Sequence, residues 1–315
     1  MNITKASASS IGLYGHCPFS YFMHYGLEME SKAGKAALQG TIVHQVFEWM
    51  IKLKKNGKTN VDPMWLLDRA WDEHTKKSSE VDIRRTTTRR DKETGEFKEA
   101  ADFKKCKLAI EEVVGNKYYN PYDSDVVDSE QWFALELPGD EWECKDNNGK
   151  TSQFKIRGFI DFLRLIDEKT IEIIDWKTGK RQNFYTQQTI DELSLPGEIQ
   201  ARLYHFAVSC MYPQYENILV TFYYTNDGGP ITISLSDKDI VNTIAILHNF
   251  FKAVTKDTLI RRNRHWSCKM CGYGNNGMCD KIWSDLHTMG TEYIVCKYHG
   301  LSQQEQLTMG KPGEQ

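Results

Sequence analysis

The stretch IEIIDWKTGK, Ile171 to Lys180, decides how this chain is read. Its β-branched and apolar residues mark the interior of a buried strand, yet Asp175 and Lys177 sit inside the run. Side chains alternate along a strand, so Ile171, Ile173, Asp175 and Lys177 share one face and Glu172, Ile174 and Trp176 the other. The preceding run FKIRGFIDFLRLI (154–166) reads as a second strand carrying Asp161, where Gly158 leaves room for another backbone or a ligand. If the two strands pair as a hairpin, two carboxylates and an ammonium meet at one spot. Carboxylates that close raise one another's pKa unless a cation neutralises them, and hard oxygen donors suit magnesium or manganese. Taken alone, D-x-K reads more plainly as a structural ion pair at a sheet edge.

Upstream, SASSIGLYGHCPFSYFMHYGL reads as a capped helix, a break at Cys17-Pro18 and a second helix. From Gly40, TIVHQVFEWMIKL places Val43, His44, Phe47, Met50 and Ile51 on one helical face, so His44 is either a satisfied core histidine or a ligand. Lys76 to Lys105 is rich in charge and threonine and reads as an exposed insertion. WFALEL before an NNGK turn is a further strand, and FYYTNDGGPITISL a further hairpin. A helix over 197–211 puts Gln200 and Tyr204 one turn apart on one face, and SDKDIVNTIAILHNFFKAV is a capped amphipathic helix. The tail after His299 is polar and expected to fray.

Composition bounds the function. With 315 residues, 40% of them hydrophobic and 26% charged, the chain can bury a sizeable core. No segment is long and apolar enough to span a bilayer, and MNITKASASS lacks the apolar centre of a secretory signal, so a cytoplasmic setting is expected, bacterial or that of a phage host. A net charge of -3 gives no global sign of polyanion binding, which leaves KLKK (52–55) and RRNR (261–264) as local candidate contacts. There is no Walker-type GxxxxGK[ST]. Eight cysteines without a signal peptide point to reduced thiols or metal ligands. Cys268, Cys271 and Cys279 are spaced C-x2-C-x7-C, one ligand short of a tetrahedral site. Cys17 is the obvious fourth, and zinc and an iron-sulfur cluster both remain open.

QGTIVH, GFID, IIDWKTGK and QARLY occur in that order, and together they resemble the PD-(D/E)XK nucleases of the RecB-like group. The likeness runs from about Ser7 to Cys279 and leaves the charged stretch near Arg84 to Lys105 unmatched. It implies an α/β restriction-endonuclease-like core, a mixed central sheet flanked by helices. It further implies that His44, Asp161, Asp175 and the Trp176 backbone carbonyl bind Mg2+ or Mn2+. Lys177 would act on the attacking water or the phosphate, while Gln200 and Tyr204 would orient the site and the DNA backbone. The cysteine pattern resembles the iron-sulfur subgroup of the AddB-type and CRISPR-adaptation nucleases, in which such cysteines hold a 4Fe-4S cluster, although the last spacing is slightly longer here. On that reading Cys17, Cys268, Cys271 and Cys279 staple the two ends of the chain together.

The expected organisation is an N-terminal helical segment (1–38), a nuclease core (39–260), an iron-sulfur segment (261–299) and a polar tail (300–315). The expected activity is metal-dependent DNA hydrolysis, at ends in preference to internal sites, in recombination, repair or replication. Expected partners are single-stranded or duplex DNA ends, with a helicase, recombinase or single-strand-binding protein, and no membrane. The rival expectation is a non-catalytic DNA-binding or scaffold subunit of a helicase-nuclease or recombination complex. An RNA-binding zinc protein would need stacking aromatics or a basic face, and the sequence shows neither.

Overall fold

The structure is a computed structural model that describes residues 3–31, 34–146, 149–183, 186–256 and 260–310, without the side chains of Glu130 and Lys256. In chain order its elements begin with β1 (Lys5–Ala6), α1 (Ala8–His16), α2 (Pro18–Tyr21), α3 (Lys35–Lys55) and α4 (Pro63–Lys77). Next come β2 (Thr86–Arg90), β3 (Phe97–Glu99), α5 (Ala101–Gly115), β4 (Val126–Glu136), β5 (Glu143–Lys145), β6 (Thr151–Gln153), β7 (Lys155–Asp167) and β8 (Thr170–Lys177). The chain continues through α6 (Ile199–Met211), β9 (Asn217–Tyr224), β10 (Gly229–Ser234), α7 (Asp237–Lys256), α8 (Gly272–Asn275), α9 (Met278–Tyr298) and α10 (Gln303–Gly310). Two compact units result, one from Ala33–Phe133 and Gly158–Thr243, the other from Met1–Lys32, Ala134–Arg157 and Ile244–Gln315.

The first unit is a mixed sheet with helices. β7 and β8 form the expected antiparallel hairpin, with Phe162 opposite Ile174 and Leu165 opposite Ile171. β8 and β9 run parallel from Thr170–Asn217 to Lys177–Tyr224, and β9 and β10 close an antiparallel hairpin. A parallel pair needs a crossover, here α6, whose first turn therefore lies after the C-terminal end of β8, where α/β sheets place ligands. The apolar stripe of α3 (Ile42, Val43, Val46, Phe47, Met50) packs with Leu66, Leu67 and Trp71 of α4, Ile110 and Val113 of α5, and Phe162, Ile174, Trp176 and Tyr223 of the sheet.

Within 76–105 the structure is more ordered than charge alone predicts. α4 continues to Lys77, and α5 starts at Ala101 and buries Phe103 and Cys106. Between them lies a hairpin of β2 and β3, its turn closed by Gly95 at φ 73°, with Arg90 stacked 4.3 Å from the Phe97 ring centroid.

In the second unit the Ser7 side chain caps α1, Cys17 leaves the helix in extended conformation, and Pro18 starts α2, so the break falls where the sequence puts it. Phe19, Phe22, Met23 and Leu27 pack against Tyr273, Met278, Ile282, Ile294 and Tyr298. Apolar burial thus joins the terminal segments whatever the cysteines bind. The tail corrects the expectation of fraying: α10 follows His299, and Gln306, 1% exposed, donates to the carbonyls of Glu30 (2.8 Å) and Leu301 (3.0 Å). A polar sequence hides this docking because the anchor is a buried amide that satisfies backbone groups.

Candidate active site

The site forms at the end of β8. Asp161, one residue beyond the Phe162–Ile174 pair, accepts the Trp176 backbone N–H at Oδ2 (2.8 Å). Asp175 accepts Gln200 Nε2–H at Oδ1 (2.7 Å), while its Oδ2 lies 2.5 Å from Lys177 Nζ. Apart from that ion pair, the buried Asp175 Oδ2 has no hydrogen-bond partner among the described residues. Lys177 Nζ donates to Gln200 Oε1 (2.6 Å) and stands 4.5 Å from the Phe222 ring centroid. Gln200 therefore bridges acid and ammonium, and its Nε2 also donates to the Tyr204 hydroxyl (2.9 Å). His44 comes in from α3, with Nε2–H donating to the Trp176 carbonyl (2.8 Å) and Nδ1 3.4 Å from Asp161 Oδ1.

The glycines that frame these residues have packing reasons. A Cβ on Gly158 would meet Phe133 at 2.8 Å, so the close neighbour is that ring, and not the backbone or ligand suggested by the sequence. A Cβ on Gly40 would press on Thr178 Oγ1 at 3.3 Å, so Gly40 sets the approach of α3 to the turn after β8. A cavity of about 480 Å³ opens beside His44 and Asp161 and is also lined by Thr41, Gln45, Glu48 and Phe159.

Burial opposes ionisation of Asp161, but the facing His44 and the Trp176 N–H hold its carboxyl below the usual range. Burial pushes Asp175 up to about 6, aided by the Asp161 charge and opposed by Lys177. Burial also disfavours a charged His44, yet Asp161 outweighs it and raises the imidazole to about 9. Among the described residues no three His, Cys, Asp or Glu side chains form a ready cation cage. The donor chemistry nevertheless fits a hard divalent cation: two carboxylates, a carbonyl and an imidazole.

A test on the metal-free protein follows from His44. Its folded pKa, about 9, exceeds the unfolded 6.5, so its contribution to stability is complete below pH 6.5 and is lost as pH rises through 9. Thermal melts in chelator are expected to fall across that window, and to fall less for His44→Gln. Equal slopes for the two proteins would remove the His44–Asp161 pair from the account.

All four candidate cluster cysteines lie in the second unit, without disulfides. Burial pushes the Cys279 thiol up to about 11, with Cys17 and Cys271 adding to the shift and Arg262 opposing it, so three of the four are electrostatic neighbours. The Cys268 sulfur accepts the His265 N–H (3.4 Å) and donates to the Asn263 carbonyl (3.7 Å). The turn is tight, since a Cβ on Gly274 would meet the Cys268 carbonyl oxygen at 2.4 Å. Soft thiolates in such a turn suit iron-sulfur or zinc.

The family profile of the PD-(D/E)XK nuclease superfamily matches residues 5–276. The chain belongs to that superfamily. Among solved structures this nuclease is similar to a crystal structure from Eubacterium rectale described as a "putative exonuclease", with 13% identity, 87% of each chain covered and a TM-score of 0.50, a likeness of fold. It also aligns with the crystal structure of SSO0001 at 11% identity, over 82% of this chain and 92% of that one, with a TM-score of 0.30. No curated protein matches the chain. No described helix is long and apolar enough to cross a membrane.

Several residues that shape the nuclease site are not marked in the sequence. Phe222, beneath Lys177, is one of many aromatic residues in strands, and Glu48 and Phe159 face the cavity only because α3 meets β7 there.

Proposed function

We propose that this site hydrolyses phosphodiester bonds in DNA, acting on ends as an exonuclease in recombination, repair or replication. The observation that carries the reading is the Gln200 bridge, which holds the buried Asp175 and the Lys177 ammonium 2.5 Å apart beside Asp161. A purely structural ion pair needs no second buried carboxylate beside it. Asp161, Asp175, the Trp176 carbonyl and His44 would hold Mg2+ or Mn2+, and His44 must give up its proton to do so. When bound, such a cation acidifies water and offsets phosphate charge. Lys177 has three N–H donors and keeps one for a phosphate oxygen or the attacking water. Gln200 and Tyr204 fix its direction. The printed description of the Eubacterium rectale structure agrees with end processing. Purified protein should degrade end-labelled single-stranded or duplex DNA with Mg2+ or Mn2+ and not in chelator; no cleavage of any substrate would leave the scaffold reading.

Cys17, Cys268, Cys271 and Cys279 are proposed to hold a structural 4Fe-4S cluster, with zinc as the rival metal. The grouping of Cys17, Cys271 and Cys279 and the knuckle around Gly274 support this. Protein prepared without oxygen should be brown and contain iron, and Cys17→Ser should lose both while lowering thermal stability. Colourless protein with stoichiometric zinc would replace the cluster by zinc.

A further inference from the structure

Two large aromatic rings stand in solvent beside the site. Trp132 on β4 is 45% exposed and Phe159 on β7 is 51% exposed. Their ring centroids are 4.7 Å apart, with planes at 50°. Phe159 precedes Asp161 by two residues on β7 and lines the same cavity as Asp161 and His44. The next residues along the two strands, Phe133 and Ile160, are buried on the opposite face, so the exposed rings belong to the solvent face of the sheet. Rings of this size left in water forgo substantial burial free energy, and a contiguous exposed apolar patch marks a binding surface.

The charges around the cavity narrow the ligand. No lysine or arginine is among its described lining residues, and its carboxylates are Asp161 and Glu48, the latter held by Gln45 (2.5 Å) and Lys52. A duplex gripped by its backbone needs a cationic groove. An unpaired base also offers a π face that stacks on an aromatic ring. Bases within a duplex present their faces only to each other.

We propose that Trp132 and Phe159 form a stacking platform for an unpaired nucleobase, so that the nuclease takes single-stranded DNA in preference to duplex. This rests on the nuclease reading above. The stacked base anchors the strand at the cavity mouth and presents a neighbouring phosphate to the Asp161 side of the site. Selection is by strandedness, not by sequence, because every base has a π face.

The test compares wild type with the double variant Trp132→Ala/Phe159→Ala and with the ring-preserving Trp132→Phe/Phe159→Tyr. Anisotropy of labelled oligothymidylate and of a duplex of equal length is read in chelator, where cleavage does not intervene, and KM and kcat are then read with Mg2+. The alanine variant is expected to lose about ten- to a hundredfold in single-strand affinity, the size of one stacked base. Its KM should rise on single strands, its duplex binding should change less than twofold, and the ring-preserving variant should stay near wild type. Unchanged single-strand affinity in a folded alanine variant overturns the platform and leaves the pair as a protein-docking patch. Equal losses on single strand and duplex overturn it as well. Ring-dependent single-strand binding by a protein that cleaves nothing would uphold the platform and refute the nuclease reading instead.

Discussion

Lys177→Ala protein is expected to fold, to keep the site's carboxylates, and to hydrolyse DNA at least about a hundredfold more slowly than wild type, the usual loss when one pre-oriented donor to a developing oxyanion is removed. The ammonium is held on three sides, by Gln200 Oε1 at 2.6 Å, Asp175 Oδ2 at 2.5 Å and the Phe222 ring at 4.5 Å. Such fixation means little reorganisation when charge builds on the phosphate. The lysine side chain is 26% exposed, so truncation opens no large cavity and the melting temperature should shift little. Single-turnover rates with saturating Mg2+ decide the matter, alongside circular dichroism and a metal titration. A wild-type rate would dismiss Lys177 from catalysis, whereas a lost fold would return Asp175 and Lys177 to the plain ion-pair reading.

The opposite pattern is expected at the third charge of the same strand. Glu172 is 2% exposed and pairs with Arg164, which donates from Nε (2.7 Å), and Thr221 donates to its other oxygen. Arg164 also donates to the Tyr118 carbonyl and lies 4.7 Å from the Tyr119 ring centroid. Removing one partner of a buried pair strands the other charge, at a cost of about 3–5 kcal/mol. Arg164→Ala should therefore lower the melting temperature by on the order of 10 °C, while molecules still folded cleave DNA normally per active site. The apolar double variant Arg164→Met/Glu172→Leu should regain much of the loss, because a well-packed apolar pair escapes the desolvation penalty. A loss under about 1 kcal/mol in urea unfolding of Arg164→Ala, as for a surface pair, would show that the network carries little stability.

These two experiments separate charges that look alike in IEIIDWKTGK. Alternation puts Asp175 and Lys177 on one face and Glu172 on the other, and that much is legible from the chain. What each face meets is not legible. The Asp175 face meets Gln200 from the first turn of α6, while Glu172 meets Arg164 and Thr221 on the two neighbouring strands. The strand hairpin, the break at Cys17-Pro18, the helix bearing His44 and the ordered motifs of the nuclease superfamily were readable because each is a local pattern of period, cap or spacing.

Long-range contact decided the rest. α10 docks through a buried glutamine, with Leu301 and Met309 against the core, in a tail that is mostly polar. Phe103 and Cys106 belong to the core although charged residues surround them. Trp132 and Phe159 lie in stretches that read as ordinary strands, and only the pairing of β4 with β7 sets their rings together at the cavity. The sequence alone determined which side chains could carry the chemistry, because residue type and periodicity are local properties. The tertiary structure alone decided which charges are structural, which group each buried carboxylate meets and which rings face solvent, because burial and hydrogen-bond partners come from segments far apart in the chain.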